Sequence, residues 1–591
     1  MSIGSTINYG NSLVMTPPRS RTLLVLLTFA VGYGALCVGS YTQKSATWDE
    51  PQHLLRGYLG WQGDHRLDPE HPPFLRLWDA LPLLALDNIN VDTTVIDQAT
   101  PADWVGFGQF QYTQTTLYKL NDADSLLYKA RFMNVLLGIL LGILLFAWAN
   151  EWLGFGPAAG ALALYACEPN LMAHSSLVTT DLGCTCFIFG TLYFLWRTSR
   201  RLNPGNLAGL ALFFVLAMIS KFTAVLLVPL VILLLGVGVA RSAPAQRRRQ
   251  AALAAGIILG LAVLSWLAIW AAYGFRYAPG PNPTWLFHFE AGSPFGDQVP
   301  LVARLAVWAD AHRLFPNAFS QGFLLSQIKA QMRGAYLAGV INSTGWWYYF
   351  PVAFAIKTPI AVLLLLAGGL AITVNLWRKF CETPIFIILP ALLYLGIAMT
   401  QRLNIGVRHI LPIYPLALLV DAVALAWLLR LPKRQTVLGL AAVSMLTALE
   451  FTQAYPDPLA FFNAAVGGPA HGDEYLVDSN LDWGQDLKGV KVWMDDHHVP
   501  WVNLCYFGTA DPAYYGIAGP LLPGSGLMNP GQQPKLPGYV AISATDLRGV
   551  YFPEQLRRVY APLLAQTPVA KIGRSIYIYY CAVPWWQPAA R

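Results

Sequence analysis

Charge is scarce in this chain: of 591 residues only 12% are Asp, Glu, Lys or Arg, where soluble domains usually carry about a quarter. With 55% hydrophobic residues and a mean hydropathy of +0.44, that shortage excludes a disordered chain and argues against an ordinary soluble enzyme. Bases exceed acids by 39 to 32, but the excess of +7 lies mostly in short tracts between apolar runs, so a nucleic-acid partner is not expected. A disulfide framework and a zinc ribbon are also missing. Of seven cysteines, Cys37, Cys167, Cys184, Cys186 and Cys381 lie in or beside apolar runs, which leaves Cys505 and Cys581 in the polar C-terminal part. Internal repeats and low-complexity tracts are absent.

What the chain has instead is apolar runs of membrane-spanning length. About eleven spans are expected, near residues 22 to 41, 132 to 150, 156 to 174, 179 to 197, 206 to 220, 222 to 240, 251 to 272, 358 to 377, 384 to 400, 409 to 429 and 436 to 454. Alternating them across a bilayer gathers Arg19/Arg21, Arg197/Arg200/Arg201, Arg241 with Arg247 to Arg249, Arg378/Lys379 and Arg430/Lys433/Arg434 on one side. The positive-inside rule makes that side cytoplasmic, with Asn150 to Gly156, which holds Glu151 and no base, as a mild dissent. The first run follows basic residues as a signal peptide would, but no convincing small-x-small site follows it, and it is read as a helix. The division is a cytoplasmic N-terminus over 1–21, a transmembrane domain over 22–454 and an extracytoplasmic domain over 455–591. Loops over about 42–131 and 273–357 share the outer face with that last domain. The second loop carries Trp285, Phe287, Phe289 and a helix-spaced pattern from Val302 to Trp308, the mark of a helix lying in the interface. The C-terminal part alternates strand-like runs (Val502 to Phe507, Tyr539 to Ser543, Ser575 to Val583) with helical ones (Gln485 to His497, Pro553 to Leu564), giving a small α/β domain. If Cys505 and Cys581 lie on neighbouring strands, an oxidising compartment would allow them to pair.

Ionisable residues concentrate on the outer side. Thr47-Trp-Asp-Glu-Pro-Gln-His53 places Asp49 and Glu50 just beyond the first span. Paired carboxylates suit a reaction in which one takes a proton from a hydroxyl and the other orients a partner, and helix capping ahead of Pro51 is the plainer alternative. In Pro69-Glu-His-Pro-Pro-Phe74 the prolines fix a loop that presents Glu70 and His71. Glu168 to His174 and Thr179-Thr-Asp181 add an acid and a histidine. An ionised group at the depth of Asp181 is costly and so a functional candidate, with an N-cap at Thr180 or Asp181 as the alternative. Lys221 interrupts the fifth and sixth spans, Arg131 opens the second, and Arg402, Arg408 and His409 precede the tenth. Cations at outer helix ends run against the positive-inside trend. Snorkelling explains one or two; several beside carboxylates indicate a site for an anion such as phosphate. Carboxylates that activate an acceptor hydroxyl and cations that receive a departing phosphate together suit glycosyl transfer from a lipid-linked sugar phosphate.

The sequence resembles the polyprenyl-phosphate-sugar-dependent glycosyltransferases of the GT-C fold, the broad family of protein O-mannosyltransferases and the lipid A aminoarabinose transferase. The resemblance rests on Asp49-Glu50, His71-Pro72-Pro73, Ala130-Arg131, Pro169 through Thr180-Asp181, Ser220-Lys221 and Gly406 to Pro412, and covers roughly residues 20 to 430. It implies a multi-pass α-helical membrane protein of the plasma (inner) membrane that transfers a sugar, with inversion, from a polyprenyl-phosphate donor to an extracytoplasmic acceptor. Asp49 takes the role of base, Glu50 and Asp181 organise acceptor or metal, and Lys221, Arg408 and Arg131 hold the donor phosphate. Glu70, His71, His174 and His409 shape the pocket. Members differ in metal use and no cofactor is assigned; a divalent metal could use Asp49, Glu50, His53 and His71 as O and N ligands. The loop over 273–357 is too short for the β-trefoil domain of eukaryotic protein O-mannosyltransferases. The segments Asp478 to Asp486 and Tyr506 to Gly516 look like those of a bacterial subgroup. There Trp483, Tyr506, Tyr514 and Tyr515 offer flat faces for acceptor recognition, while Asp482 and Gln485 are spaced like a capping box for the helix through His497. The alternative class is a transporter or lipid flippase with Asp181, Lys221 and Arg408 along its path, although transporters place charges near the midplane of repeated halves.

Overall fold

The structure, a computed structural model, describes residues 19–586 except 102–103, 105–107, 291–298, 332, 379–382 and 526–530. Residues 1–18 of the expected cytoplasmic segment and Lys379 of the basic tracts therefore lie outside the described residues. Apolar runs in a bilayer must satisfy their own backbone, which makes them helices. Along the first half run α1 (Arg19–Tyr41), α2 (Glu50–Trp61), α3 (Phe74–Ala80), α4 (Ala123–Leu153), α5 (Phe155–Ala166), α6 (Pro169–Ser175), α7 (Thr180–Arg200) and α8 (Pro204–Met218). Then follow α9 (Leu227–Arg241), α10 (Arg247–Ala272), α11 (Leu301–Ala311), α12 (Asn317–Lys329), α13 (Tyr349–Lys357), α14 (Ile360–Arg378), α15 (Ile385–Met399), α16 (Ile413–Leu428) and α17 (Lys433–Ala454).

Each apolar run of the sequence contains helix, but the helices differ in length. Among the described residues five helices are long and apolar enough to cross a membrane: α1, α4, α9 with the turn before it, α10 with the turn before it, and α17. The number rises to seven if two bent pairs each count as one span: α6 with α7 at 113°, and α13 with the helix over Ile360–Asn375 at 116°. The helices α5, α8, α15 and α16 are shorter apolar elements. The expected single run over 156 to 174 is broken. Glu168 caps α6 by accepting from the Leu171 amide at 2.7 Å, with Pro169 at the first helical position, so α6 begins a new direction. Helix α16 is buried from Ile413 to Ala426 and packs against α4, α5, α14 and α15 at the centre of the bundle. The expected interfacial helix is α11, which leaves Leu301, Leu305 and Trp308 exposed.

The C-terminal part holds a helix α18 (Leu487–Asp496) and a four-stranded sheet of β3 (Asn503–Cys505), β4 (Gly538–Ser543), β5 (Ala570–Ile572) and β6 (Ile576–Cys581), while β1 (Ala335–Leu337) and β2 (Val340–Asn342) form a separate hairpin. The sheet order is β3-β4-β6-β5, parallel between β3 and β4 and antiparallel elsewhere. This corrects the expectation for the cysteines: β4 lies between Cys505 and Cys581, which align with its opposite ends at Ile542 and Gly538, and both thiols are free. The capping box is corrected too. Helix α18 starts at Leu487 with no side-chain cap, while Asp482 accepts from the Thr545 amide at 2.8 Å and Gln485 from the Trp483 amide at 2.8 Å.

Candidate active site

The site forms where the loop after α1, the start of α7, the break before α9, the turn before α16 and the 3-10 turn Asp478–Asn480 after α17 meet. Helix α8 ends at Met218 and a 3-10 turn begins at Phe222, so Lys221 sits extended between them and its stem is free to reach sideways. Its ammonium pairs with Asp181, the second residue of α7. Thr179 occupies the N-cap position there without a side-chain cap bond, so Asp181 is an ion-pair partner and not a cap. Asp181 lies 3.9 Å from Arg408, whose Nη1 donates to Asp49 Oδ2 at 2.9 Å. Asp49 holds the N-cap position of α2 and makes no cap bond either, and its side chain is 24% exposed beside the nearly buried Arg408 and Asp181. Four of the expected residues, Asp49, Asp181, Lys221 and Arg408, are thus one cluster with one carboxylate open to solvent.

Trp483 closes the cluster from beneath: the Arg408 guanidinium lies 4.2 Å from its ring centre, and His174 meets the ring edge-on at 6.5 Å. Arg408 is held in register by the segment Asp478 to Asn480. Asn480 Oδ1 accepts from the Val407 amide at 3.0 Å, and its Nδ2 donates to Tyr349 Oη at 2.9 Å. A Cβ on Gly406 would lie 2.3 Å from Ser479 Oγ, so a side chain there would have to displace that hydroxyl. Asp478 adopts φ of +55°, an uncommon backbone for a side-chain-bearing residue, and accepts from the Tyr551 hydroxyl. Both ring nitrogens of His174, Nε2 of His409 and Nε of Arg408 are buried without a hydrogen-bond partner among the described residues, which leaves polar capacity facing the cluster.

Other expected residues do different work. Glu50 and Arg131 are both fully buried and bind each other, Nε to Oε1 at 2.8 Å and Nη2 to Oε2 at 2.6 Å. Arg131 spends its remaining donors on the carbonyls of Tyr41, Lys44 and Ser45, and Glu50 also accepts from the amides of Thr47 and Val178. Arg131 therefore has no donor left for a phosphate. The pair instead ties the Asp49 loop to α4 and to the backbone that leads into Asp181. Glu70 pairs with Lys329, and His71 stacks on His53 with ring centres 5.9 Å apart. His53 accepts from Arg76 Nε at 2.7 Å, and burial together with that guanidinium pushes its pKa down to about 3. Burial and Arg76 also lower His71. With Glu50 on Arg131, His53 on Arg76 and Asp49 on Arg408, the proposed ligand set does not converge, and among the described residues no group of three or more His, Cys, Asp or Glu could hold a metal. Of the aromatic candidates only Trp483 touches the cluster. The Tyr506 hydroxyl donates to Gly484 within the C-terminal part, while Tyr514 donates to Asp122 and Tyr515 to Asp124, which seams that part to the start of α4.

One cation escapes a reading by motif. Arg333 precedes β1 in a loop without a recognisable signature and makes no hydrogen bond or ion pair among the described residues, while Tyr551, Asp478, Asp49 and Glu70 act electrostatically on its charge. Burial opposes its charge, but those acidic neighbours prevail and raise its pKa. Lys221 also stands in the wall of an apolar groove of about 460 Å³ between the end of α8, the turn before α9, α10 and the helices α11 and α12, lined by Phe222, Ile269, Leu305, Phe319 and Phe323.

A family model described as dolichyl-phosphate-mannose-protein mannosyltransferase matches residues 110–270, a stretch that contains Arg131, Asp181 and Lys221. No curated protein matches the sequence. Among solved structures the chain is similar to ArnT from Cupriavidus metallidurans bound to undecaprenyl phosphate, at 14% identity, TM-score 0.47, and coverage of 95% of this chain and 98% of that one. It is similar also to the S. cerevisiae protein O-mannosyltransferase Pmt1-Pmt2 complex bound to the sugar donor, at 12% identity, TM-score 0.48, and coverage of 74% and 90%. The archaeal oligosaccharyltransferase AglB from Archaeoglobus fulgidus, in complex with an inhibitory peptide and a dolichol-phosphate, is matched at 12% identity, TM-score 0.46, and coverage of 97% and 75%. The family model falls on the glycosyltransferase family that the motifs resemble.

Proposed function

We propose that this membrane protein transfers a glycosyl group from a polyprenyl-phosphate-linked sugar to an acceptor hydroxyl on the extracytoplasmic side. The observation that carries the reading is the partly open Asp49 carboxylate, 2.9 Å from Arg408 and within one cluster with Asp181 and Lys221, at the head of an apolar groove that shares Lys221. A lipid phosphate needs both features, cations for its head and a dry trough for its tail. Asp49 accepts the proton of the acceptor hydroxyl while that oxygen bonds to the anomeric carbon, and the bond from that carbon to the phosphate oxygen breaks with its electron pair on phosphate. In-line attack opposite the leaving group inverts the anomeric configuration. Arg408, Lys221 and Arg333 receive the phosphate charge as it develops, and Asp181 keeps Lys221 and Arg408 in place between turnovers.

The test is binding of a synthetic polyprenyl phosphate to the solubilised chain. Lys221→Gln and Arg408→Gln each remove a charge-assisted contact of about 1.5–3 kcal/mol, which corresponds to roughly 10- to 150-fold weaker binding. Unchanged affinity in both variants would put the phosphate elsewhere and end this assignment.

A further inference from the structure

Glycosyl transfer at Asp49 leaves the far end of the bundle without a task. There α7, α9, α10 and α15 part around a cavity of about 430 Å³. Thr198 lines it, 17 residues along α7 from Asp181 and so about 26 Å from the transfer site at 1.5 Å per residue. The wall is apolar at Leu234, Leu253 and Ile257 and polar at Thr198, Arg241 and Gln250. Thr185 and Thr191 on the same helix donate to carbonyls four residues back, at 2.9 and 2.8 Å. Thr198 is only 7% exposed, yet its hydroxyl has no partner among the described residues. A buried hydroxyl left unbonded beside an open cavity points to a ligand that bonds it.

The charge around the mouth is mostly positive. No Asp or Glu occurs in the sequence between Asp181 and Glu290, while Arg197, Arg200, Arg201, Arg241 and Arg247 to Arg249 all fall within that stretch. Arg197 is answered by Glu151 at 3.4 Å, and Arg247 is engaged with the carbonyls of Ser242 and Ala240. Arg200, Arg201, Arg248 and Arg249 make no ion pair among the described residues and are exposed where α7 ends and α10 begins. A cavity with an apolar interior and a cationic rim, set at the end of membrane helices, matches an amphiphile with an anionic head.

We propose that this cavity binds one anionic phospholipid of the leaflet that carries the basic tracts, its phosphate at Thr198, Arg241 and the rim arginines and an acyl chain along α9 and α10. The ligand is distinct from the donor lipid by position, and the inference stands independently of the transfer reaction. It is tested by thermal unfolding of the full-length solubilised chain with dioleoylphosphatidylglycerol, dioleoylphosphatidylcholine or inorganic phosphate. Two variants serve as controls. Gly238 lines the cavity and a Cβ there meets nothing within 4 Å, so Gly238→Phe fills the space without touching charge. The double variant Arg201→Gln/Arg241→Gln removes charge without filling space. Phosphatidylglycerol is expected to raise the midpoint of the wild type by about 2 °C or more, phosphatidylcholine and phosphate to leave it unmoved, and each variant to lose at least half of the shift. Equal shifts with both lipids, a shift with inorganic phosphate alone, or a full shift retained in the variants would overturn the proposal. Should one variant fail to fold, the other decides.

Discussion

Asp49 and Glu50 are neighbours in sequence and of the same chemical type, yet their environments predict opposite consequences of the same substitution. The Asp49 carboxylate is 24% exposed, and its ion pair with Arg408 contributes at most about 1 kcal/mol to folding, as partly solvated pairs do. Asp49→Asn is therefore expected to unfold within a few degrees of the wild type. Removing a general base slows transfer roughly 10²- to 10⁴-fold, equivalent to about 3–5.5 kcal/mol of barrier. Glu50→Gln does the reverse. Glu50 and Arg131 are both 0% exposed, and neutralising the acid strands a buried guanidinium at about 3–5 kcal/mol, a large part of a total stability of about 5–15 kcal/mol. Poor yield and a markedly lower unfolding midpoint are expected, with activity lost in proportion to folded protein. The two variants are compared by fluorescence-detected size exclusion, thermal unfolding, and turnover of a panel of synthetic polyprenyl-phosphate sugars. An Asp49→Asn enzyme with more than about a tenth of wild-type turnover would refute the base assignment. A Glu50→Gln protein as stable as the wild type but inactive would show that the roles had been exchanged.

Arg333→Gln is expected to weaken donor binding roughly 10-fold or more while the unfolding midpoint stays unchanged, because Arg333 makes no bond among the described residues that its loss would break; a KM and kcat both at wild-type values would remove it from the site. Asp482 is held up to about 7 by burial, so the folded state keeps a proton that the unfolded chain releases near pH 4, and stability falls as pH rises from about 4 through about 7. Asp546, beside Asp482, is raised in the same sense by burial and by that neighbour. Asp482→Asn retains the acceptor for the Thr545 amide, so its stability relative to the wild type should grow between pH 5 and 8, and a difference that is flat with pH would refute the shift. Cys505 and Cys581, buried on strands separated by β4, should both react with maleimide after denaturation without reductant, and a mass lower by two hydrogens would reveal a disulfide instead.

The sequence made the helical runs readable because backbone satisfaction in lipid leaves no other choice, but their lengths and bends depended on single residues such as Glu168 that act only through geometry. The clustering of Asp49, Asp181, Lys221 and Arg408 was legible because each is a charge at a helix end where charge is expensive. The same rule misfiled Arg131. An arginine that opens a span looks like an anion site until the carboxylate 81 positions earlier is seen to occupy it. Arg333 was invisible for the converse reason: it lies in polar loop sequence, where one more arginine carries no signal, and only the chain's return over the site gives it company. Tyr514 and Tyr515 were ambiguous in sequence because a flat polar face serves a seam within the chain as well as it serves a sugar.

The stretch between α17 and α18, built of 3-10 turns and one short helix, carries Asn480, which binds the Val407 amide, and Trp483, whose ring lies against Arg408. The C-terminal part and the helical bundle therefore share the Arg408 cluster and are not two separately joined modules. Exchanging this C-terminal part for another is expected to disturb the Arg408 cluster unless the graft point lies beyond Trp483, and under the proposed function a version without it is expected to be inert even with every apolar helix intact.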